Sequence, residues 1–229
     1  MARKAMVYAD DVVILVRSHM AAKRVMASIV SFIERRMRLK VNAEKTKVVP
    51  PNGLTYLGYS FYKGGDGKWK GCVSDAKFAM LKSRIRLLTK RSDPTPTKET
   101  CRRVSRLLVG WINYFLLADM KARMRELWQW VKGRIRVIIY KKWKKPKRRE
   151  EALLRCLALR KRKGDLDGWP EWRIQQRVRD AKALGGYGDH YAKVGKNVKL
   201  AFFLTDWILE LGHLLNPVAY YLERKSSLC

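Results

Sequence analysis

Acidic residues are scarce in this chain: 20 Asp and Glu stand against 51 Lys and Arg in 229 residues, a net charge of +31. Self-repulsion on that scale disfavours the compact state unless a polyanion is near. Nucleic acid is the first expectation, because neutralised phosphates release condensed counterions. An anionic membrane surface is the alternative. Long apolar runs are also lacking. None approaches the roughly 20 residues needed to cross a bilayer. The apolar stretch after Met1 is short and soon interrupted by two aspartates, so it is not expected to serve as a signal peptide. No membrane partner is therefore expected, and a cytoplasmic location is. The four cysteines (Cys72, Cys101, Cys156, Cys229) lie far apart, with no CxxC and no histidine at ligand spacing. That disfavours a zinc site and points to free thiols in a reducing compartment. Internal repeats and low-complexity tracts are missing as well.

What is present divides into two parts. Residues 4–17 read as strand, tight turn, strand. A helix is expected from about Met20 to Met37, with Ala22, Met26, Ile29, Ile33 and Met37 on one face. Residues 39–42 and 46–49 read as short strands, and 50–53 as a turn. Residues 54–62 read as a strand, turned back at Gly64–Gly67 through 68–73 as a hairpin. After Ser74 helices take over. One apolar stripe is Phe78, Leu81, Ile85 and Leu88. Asp93 to Pro96 breaks it and starts the next helix, with Thr95 as N-cap and Pro96 at the first position. The following stripes are Val104, Leu107, Leu108, Trp111, Phe115 and then Met120, Met124, Leu127, Val131, Ile135, Ile138, ending at Pro146. Helices are expected again near 150–162, 171–184 and 199–211. The fold class is α+β: a short antiparallel sheet with a helix in residues 1–73, then a basic helical region over 74–149 and a helical extension over 150–229. The first part is too small for a complete sheet domain, which suggests truncation or assembly with another chain.

Two adjacent carboxylates, Asp10 and Asp11, fall at the tip of the first hairpin. Held close, they repel each other unless a cation lies between them. A hard divalent ion with oxygen ligands answers this, and Mg²⁺ suits a site that also handles phosphates. Two such ions can activate a 3′-hydroxyl and stabilise a pyrophosphate leaving group. An Asp pair is also common in ordinary turns, because Asp suits them.

The surroundings bear on that choice. The run VYADDVVIL, residues 7–15, resembles the catalytic strand-turn-strand of reverse transcriptases, with its Tyr-x-Asp-Asp box. LKVNAEKTK, residues 39–47, resembles the LNxEKTK block of bacterial group II intron enzymes. Tyr56-Leu57-Gly58-Tyr59 resembles their next block, FLGF or FLGY. RLLVGWINYF, residues 106–115, resembles the LRGWINYF segment of the maturase-specific region, or thumb. The chain is thus similar to the palm end and thumb of a group II intron reverse transcriptase/maturase.

The resemblance implies roles. Asp10 would be a ligand of catalytic Mg²⁺ and Asp11 its partner acid, with Tyr8 and Ala9 beneath the primer end. Lys45 or Lys47 would lie near an incoming dNTP, where a lysine can neutralise or protonate pyrophosphate. Solvated loop lysines are the plainer alternative. Leu57, Gly58 and Tyr59 would form the primer grip. A third palm carboxylate and the fingers do not occur in these residues. The chain alone is therefore expected to lack polymerase activity unless an N-terminal fragment completes the palm. No nuclease is expected either: His19, His190 and His213 are isolated and read as structural.

The resemblance implies group II intron RNA and an RNA/DNA primer-template as partners. Residues able to grip phosphates are Arg102, Arg103, Arg106, Arg134, Arg136, Lys141, Lys142, Lys144, Lys145, Lys147, Arg148 and Arg149. Tyr140 and Trp143 could stack on unpaired bases. Trp111, inside an apolar stripe, reads as core.

Overall fold

The computed structural model describes residues 4–9, 11–186, 194–210 and 214–228, without the side chains of 205–207, 209 and 210. The chain forms two compact units, Met1–Asp75 and Ala76–Cys229. The fold is α+β, with five strands and eight α-helices among the described residues.

In the first unit, β1 (Lys4–Tyr8) and β2 (Asp11–Leu15) pair as an antiparallel hairpin. Helix α1 (His19–Arg36) follows. Ser18 caps it by accepting from the Ala21 amide at 3.2 Å, and Arg35 and Arg36 suit the negative end of its dipole. The expected stripe is only half covered: Ala22, Met26, Ile29 and Ile33 are partly exposed and Met37 is exposed.

The expected strands at 39–42 and 46–49 are not strands. The Asn42 carboxamide oxygen accepts from the Glu44 and Lys45 amides, and its carbonyl from the Thr46 amide. Such local bonds compete with a ladder and fold the segment into a turn. The strand expected over 54–62 is instead a second tight hairpin. β3 (Thr55–Tyr56) pairs with β4 (Tyr59–Lys63) around Leu57 and Gly58. Both tip residues have positive φ, 52° and 85°. That handedness matches strand twist in a two-residue turn. β5 (Trp69–Val73) completes the order β3-β4-β5, with Lys63 opposite Trp69. The two sheets are separate.

The second unit is helical. Phe78, Leu81 and Ile85 of α2 (Asp75–Leu88) are buried as expected. Helix α3 (Thr97–Tyr114) begins one residue later than expected. Asp93 holds the Thr95 amide at 2.8 Å and also its hydroxyl, so Thr95 belongs to an Asx turn, and Pro96 takes the cap position. Trp111 is half-buried, 4.8 Å from the Phe115 ring and 6.1 Å from Phe78.

Helix α4 (Lys121–Lys142) buries the expected stripe on the helical period. Met124, Leu127, Val131 and Ile135 are fully enclosed, each stabilising the fold by about 1.5–3 kcal/mol. α4 stops before Pro146, which opens α5 (Pro146–Arg162) rather than merely ending α4. The expected boundary at 149/150 thus falls inside a helix. Helices α6 (Glu171–Gly185) and α7 (Val198–Glu210) follow.

The last helix, α8 (Pro217–Ser226), was not expected, although Asn216-Pro217 carries a cap signature. The Asn216 side chain accepts from the Val218 and Ala219 amides. Tyr221 is buried, and its hydroxyl donates to the Ala118 carbonyl at 2.8 Å. Among the described residues no helix is long and apolar enough to cross a membrane.

Candidate functional site

The β1–β2 register places Tyr8 opposite Asp11, with Ala9 following Tyr8 in the turn. Asp10 lies outside the described residues. Ala9 has φ of 50°, a left-handed conformation that costs a non-glycine residue about 1–2 kcal/mol. Asp11 is exposed and Tyr8 is 63% exposed. Two aspartates adjacent in sequence, Asp10 and Asp11, are a hard oxygen donor set of the kind that suits Mg²⁺. Among the described residues no group of three or more His, Cys, Asp or Glu side chains could hold a metal.

The other expected nucleotide-proximal residues lie elsewhere in the same unit. Lys45 and Lys47 are exposed, Lys45 in the turn that Asn42 organises. Leu57 and Gly58 form the β3–β4 tip, and Tyr59 opens β4. The Gly58 carbonyl accepts from the Ser74 amide at 2.9 Å. His19 is an exposed residue at the start of α1, whereas His190 and His213 lie outside the described residues.

The expected cations of the second unit separate into exposed and enclosed sets. Arg102, Arg103 and Arg106 on α3 converge on the Glu99 carboxylate at 3.8, 3.2 and 3.3 Å. One acid therefore gathers three guanidiniums that remain largely exposed. Lys142 donates to the Thr95 carbonyl at 2.6 Å, tying the end of α4 to the turn before α3. Lys144, Lys145, Lys147 and Arg148 are exposed where α4 gives way to α5, and Lys141 and Trp143 are partly exposed.

Four aromatic and basic residues expected at a nucleic-acid surface are used inside the protein. Arg136 is 7% exposed, and its Nη2 donates to the Gly195 carbonyl at 2.6 Å. Burial pulls its pKa down, though a guanidinium stays charged in proteins. Arg149 is 5% exposed, lies 4.6 Å over the Tyr140 ring and donates from Nε to the Trp143 carbonyl. Tyr140 is itself enclosed, its hydroxyl on the Leu184 carbonyl, and offers no ring for stacking. Arg134 is half-buried. It caps the end of α2 by donating to the Thr89 hydroxyl and to the Thr89 and Arg86 carbonyls. Burial, with Arg86 and Arg91 nearby, lowers its pKa. The reason is geometric: a helical run of cations cannot all face outward, and long side chains reach across to carbonyls on neighbouring segments.

Sequence reasoning missed Lys132, which is half-buried with its ammonium 5.2 Å over the Trp128 ring. Burial first, and then the Arg136 charge, lowers its pKa. Its i, i+4 spacing from Trp128 was the available signal.

Two segments match family models. Residues 2–61 match the reverse transcriptase (RNA-dependent DNA polymerase) family. They contain the β1–β2 tip, the Asn42 turn and the β3–β4 tip. Residues 79–157 match the maturase-specific domain of group II introns. They contain α3, α4 and the exposed cations at the α4–α5 junction. A polymerase segment followed by a maturase segment defines the class. The chain belongs to the group II intron-encoded reverse transcriptase/maturase family. No curated protein matches it.

Proposed function

We propose that the chain supplies the palm end and the RNA-gripping thumb of an RNA-directed DNA polymerase that also assists splicing of a group II intron, in the cytoplasm. The observation that carries this reading is the order of the two matched segments, a reverse transcriptase segment followed by a maturase-specific one. Asp10 and Asp11 are the Mg²⁺ ligands. Mg²⁺ bound there would activate a primer 3′-hydroxyl and stabilise the leaving pyrophosphate. Tyr8 and Ala9 support the primer end, and the tight tip lets a backbone approach. Leu57, Gly58 and Tyr59 grip the primer, and Lys45 or Lys47 meets the dNTP phosphates.

Intron RNA lies on the exposed cations. Glu99 draws Arg102, Arg103 and Arg106 into one group that can straddle phosphates. Lys141, Lys142, Lys144, Lys145, Lys147 and Arg148 extend that surface, and Trp143 stacks on an unpaired base. Arg134, Arg136 and Arg149 hold the helices that carry it. These 229 residues alone bind RNA and do not extend a primer, because the reaction also uses fingers and a third palm carboxylate supplied by an N-terminal segment.

The test is a primer-extension assay with that segment supplied in trans. Asp10→Asn/Asp11→Asn is expected to abolish DNA synthesis and leave intron RNA affinity unchanged. DNA synthesis that survives the double substitution would sink the catalytic assignment. Wild-type RNA affinity insensitive to salt would sink the RNA surface.

A further inference from the structure

A cleft of about 430 Å³ opens among α5, α6 and α7, lined by Arg160, Arg177, Val198, Lys199, Ala201 and Phe202. All six residues follow residue 157, outside both matched segments. The cations are fixed in place. The Arg160 and Arg177 guanidinium carbons lie 4.3 and 4.5 Å from the centre of the Phe202 ring. Trp169 stacks on Phe202 at 5.8 Å and 27°, and Arg173 lies 3.8 Å over Trp169. Guanidiniums held on rings keep their donors in one plane, the geometry that matches a phosphate.

The anionic side is small. Buried Asp180 accepts from Arg177 Nη1 at 3.1 Å and from Lys199 Nζ at 2.6 Å. Asp165 lies 3.7 Å from Arg160 Nε, and the Phe202 carbonyl accepts from Arg160 Nη1 at 2.8 Å. Among the described residues, three cations therefore line the cleft against two carboxylates. Arg177 and Lys199 each retain donors beyond their bond to Asp180. The remaining wall is apolar, and Val198 is 82% exposed at the lip. Cations on one side, an apolar wall on the other and a volume near the small end of ligand sites suit one nucleotide unit.

We propose that this cleft holds one unpaired nucleotide of a single-stranded nucleic acid, its phosphate on Arg177 and Lys199 and its sugar or base against Val198 and Phe202. The proposal rests on the reading of the chain as an RNA-binding protein. It adds a second anchor, separate from the cations of α3 and the α4–α5 junction.

The test uses the full chain and labelled twelve-nucleotide uridine RNA, the matching thymidine DNA, and a duplex RNA. Affinity is followed against salt. Val198→Glu places a negative charge at an exposed position in the first turn of α7, where the helix dipole favours it. Lys199→Gln alters a side chain that is 58% exposed and can still donate to Asp180. Lys121→Gln and Arg125→Gln, exposed on α4, serve as charge controls.

Each cleft variant is expected to lose about tenfold in single-strand affinity, Lys199→Gln through the loss of a charge-assisted contact and Val198→Glu through repulsion of the phosphate. The salt slope should fall by about 0.7, for one phosphate. Duplex binding should match that of the controls. A loss on RNA alone identifies RNA as the ligand, and an equal loss on DNA identifies a phosphodiester site indifferent to the sugar. Cleft variants that behave like the controls, or that lose duplex and single strand alike, overturn the proposal. Wild-type protein that binds none of the three probes overturns the RNA reading and the cleft with it. Circular dichroism melts check that each variant is folded.

Discussion

Replacing Gly133 by Ala sets helix propensity against tertiary packing. Gly133 lies inside α4, where Ala by itself should stabilise the helix by about 1 kcal/mol. The structure opposes that gain. A Cβ at Gly133 would stand 2.9 Å from the Gly195 carbonyl oxygen, which is backbone and cannot rotate away. The approach is mutual, since a Cβ at Gly195 would meet the Gly133 carbonyl at 3.2 Å. Overpacking of this kind costs about 1–3 kcal/mol. The same Gly195 oxygen accepts from Arg136 Nη2 at 2.6 Å. Arg136 Nε is already buried without a hydrogen-bond partner among the described residues. Moving Gly195 away would weaken a charged, buried hydrogen bond contributing about 1.5–3 kcal/mol. Set against the propensity gain, the net loss is about 2–4 kcal/mol. In a chain of this length that lowers Tm by about 4–16 °C. Thermal unfolding followed by circular dichroism at 222 nm reads it directly. A variant as stable as the parent, or more so, would refute the close approach of α4 to Gly195.

Other outcomes follow from single contacts. Tyr140→Phe removes the hydroxyl that donates to the Leu184 carbonyl and should cost about 1–3 kcal/mol in denaturant unfolding; an unchanged midpoint would contradict the buried bond. Gly58→Ala forces a side chain onto φ of 85° and should cost about 1–2 kcal/mol, unless Gly58 is not at the tip of the hairpin. The Cys101 thiol is fully buried, and burial pushes its pKa up from 9.0 to about 11. It should therefore resist iodoacetamide at pH 8 in the folded protein and react once the chain is unfolded. The sign of the stability change follows. The folded state holds this proton more tightly, so its contribution is complete below pH 9.0 and is lost as pH rises through about 11. Rapid alkylation of native Cys101 would show that the site is open.

Sequence alone determined the class, the helical stripes and the identity of the hairpin box. These are local signals. The stripe from Met120 to Ile138 follows the helical period, and every member is buried. Its apolar side chains leave water whichever partner covers them. The Tyr8-to-Asp11 box depends on four adjacent residues, and the register places Tyr8 and Asp11 opposite each other. Turn chemistry was less visible. The Asn42 and Asp93 side chains bond to nearby backbone and shift element boundaries by competition that periodicity does not register.

Tertiary structure alone decided which cations face solvent. Arg106 and Arg136 are the same residue type in two basic helices, yet one is exposed and the other donates to Gly195, 59 positions further along the chain. The cleft of Arg160, Arg177, Lys199 and Phe202 likewise joins three helices that no spacing rule connects. Charge in a sequence fixes how strongly a protein attracts phosphate. Only the folded chain fixes which charges remain at the surface to meet it.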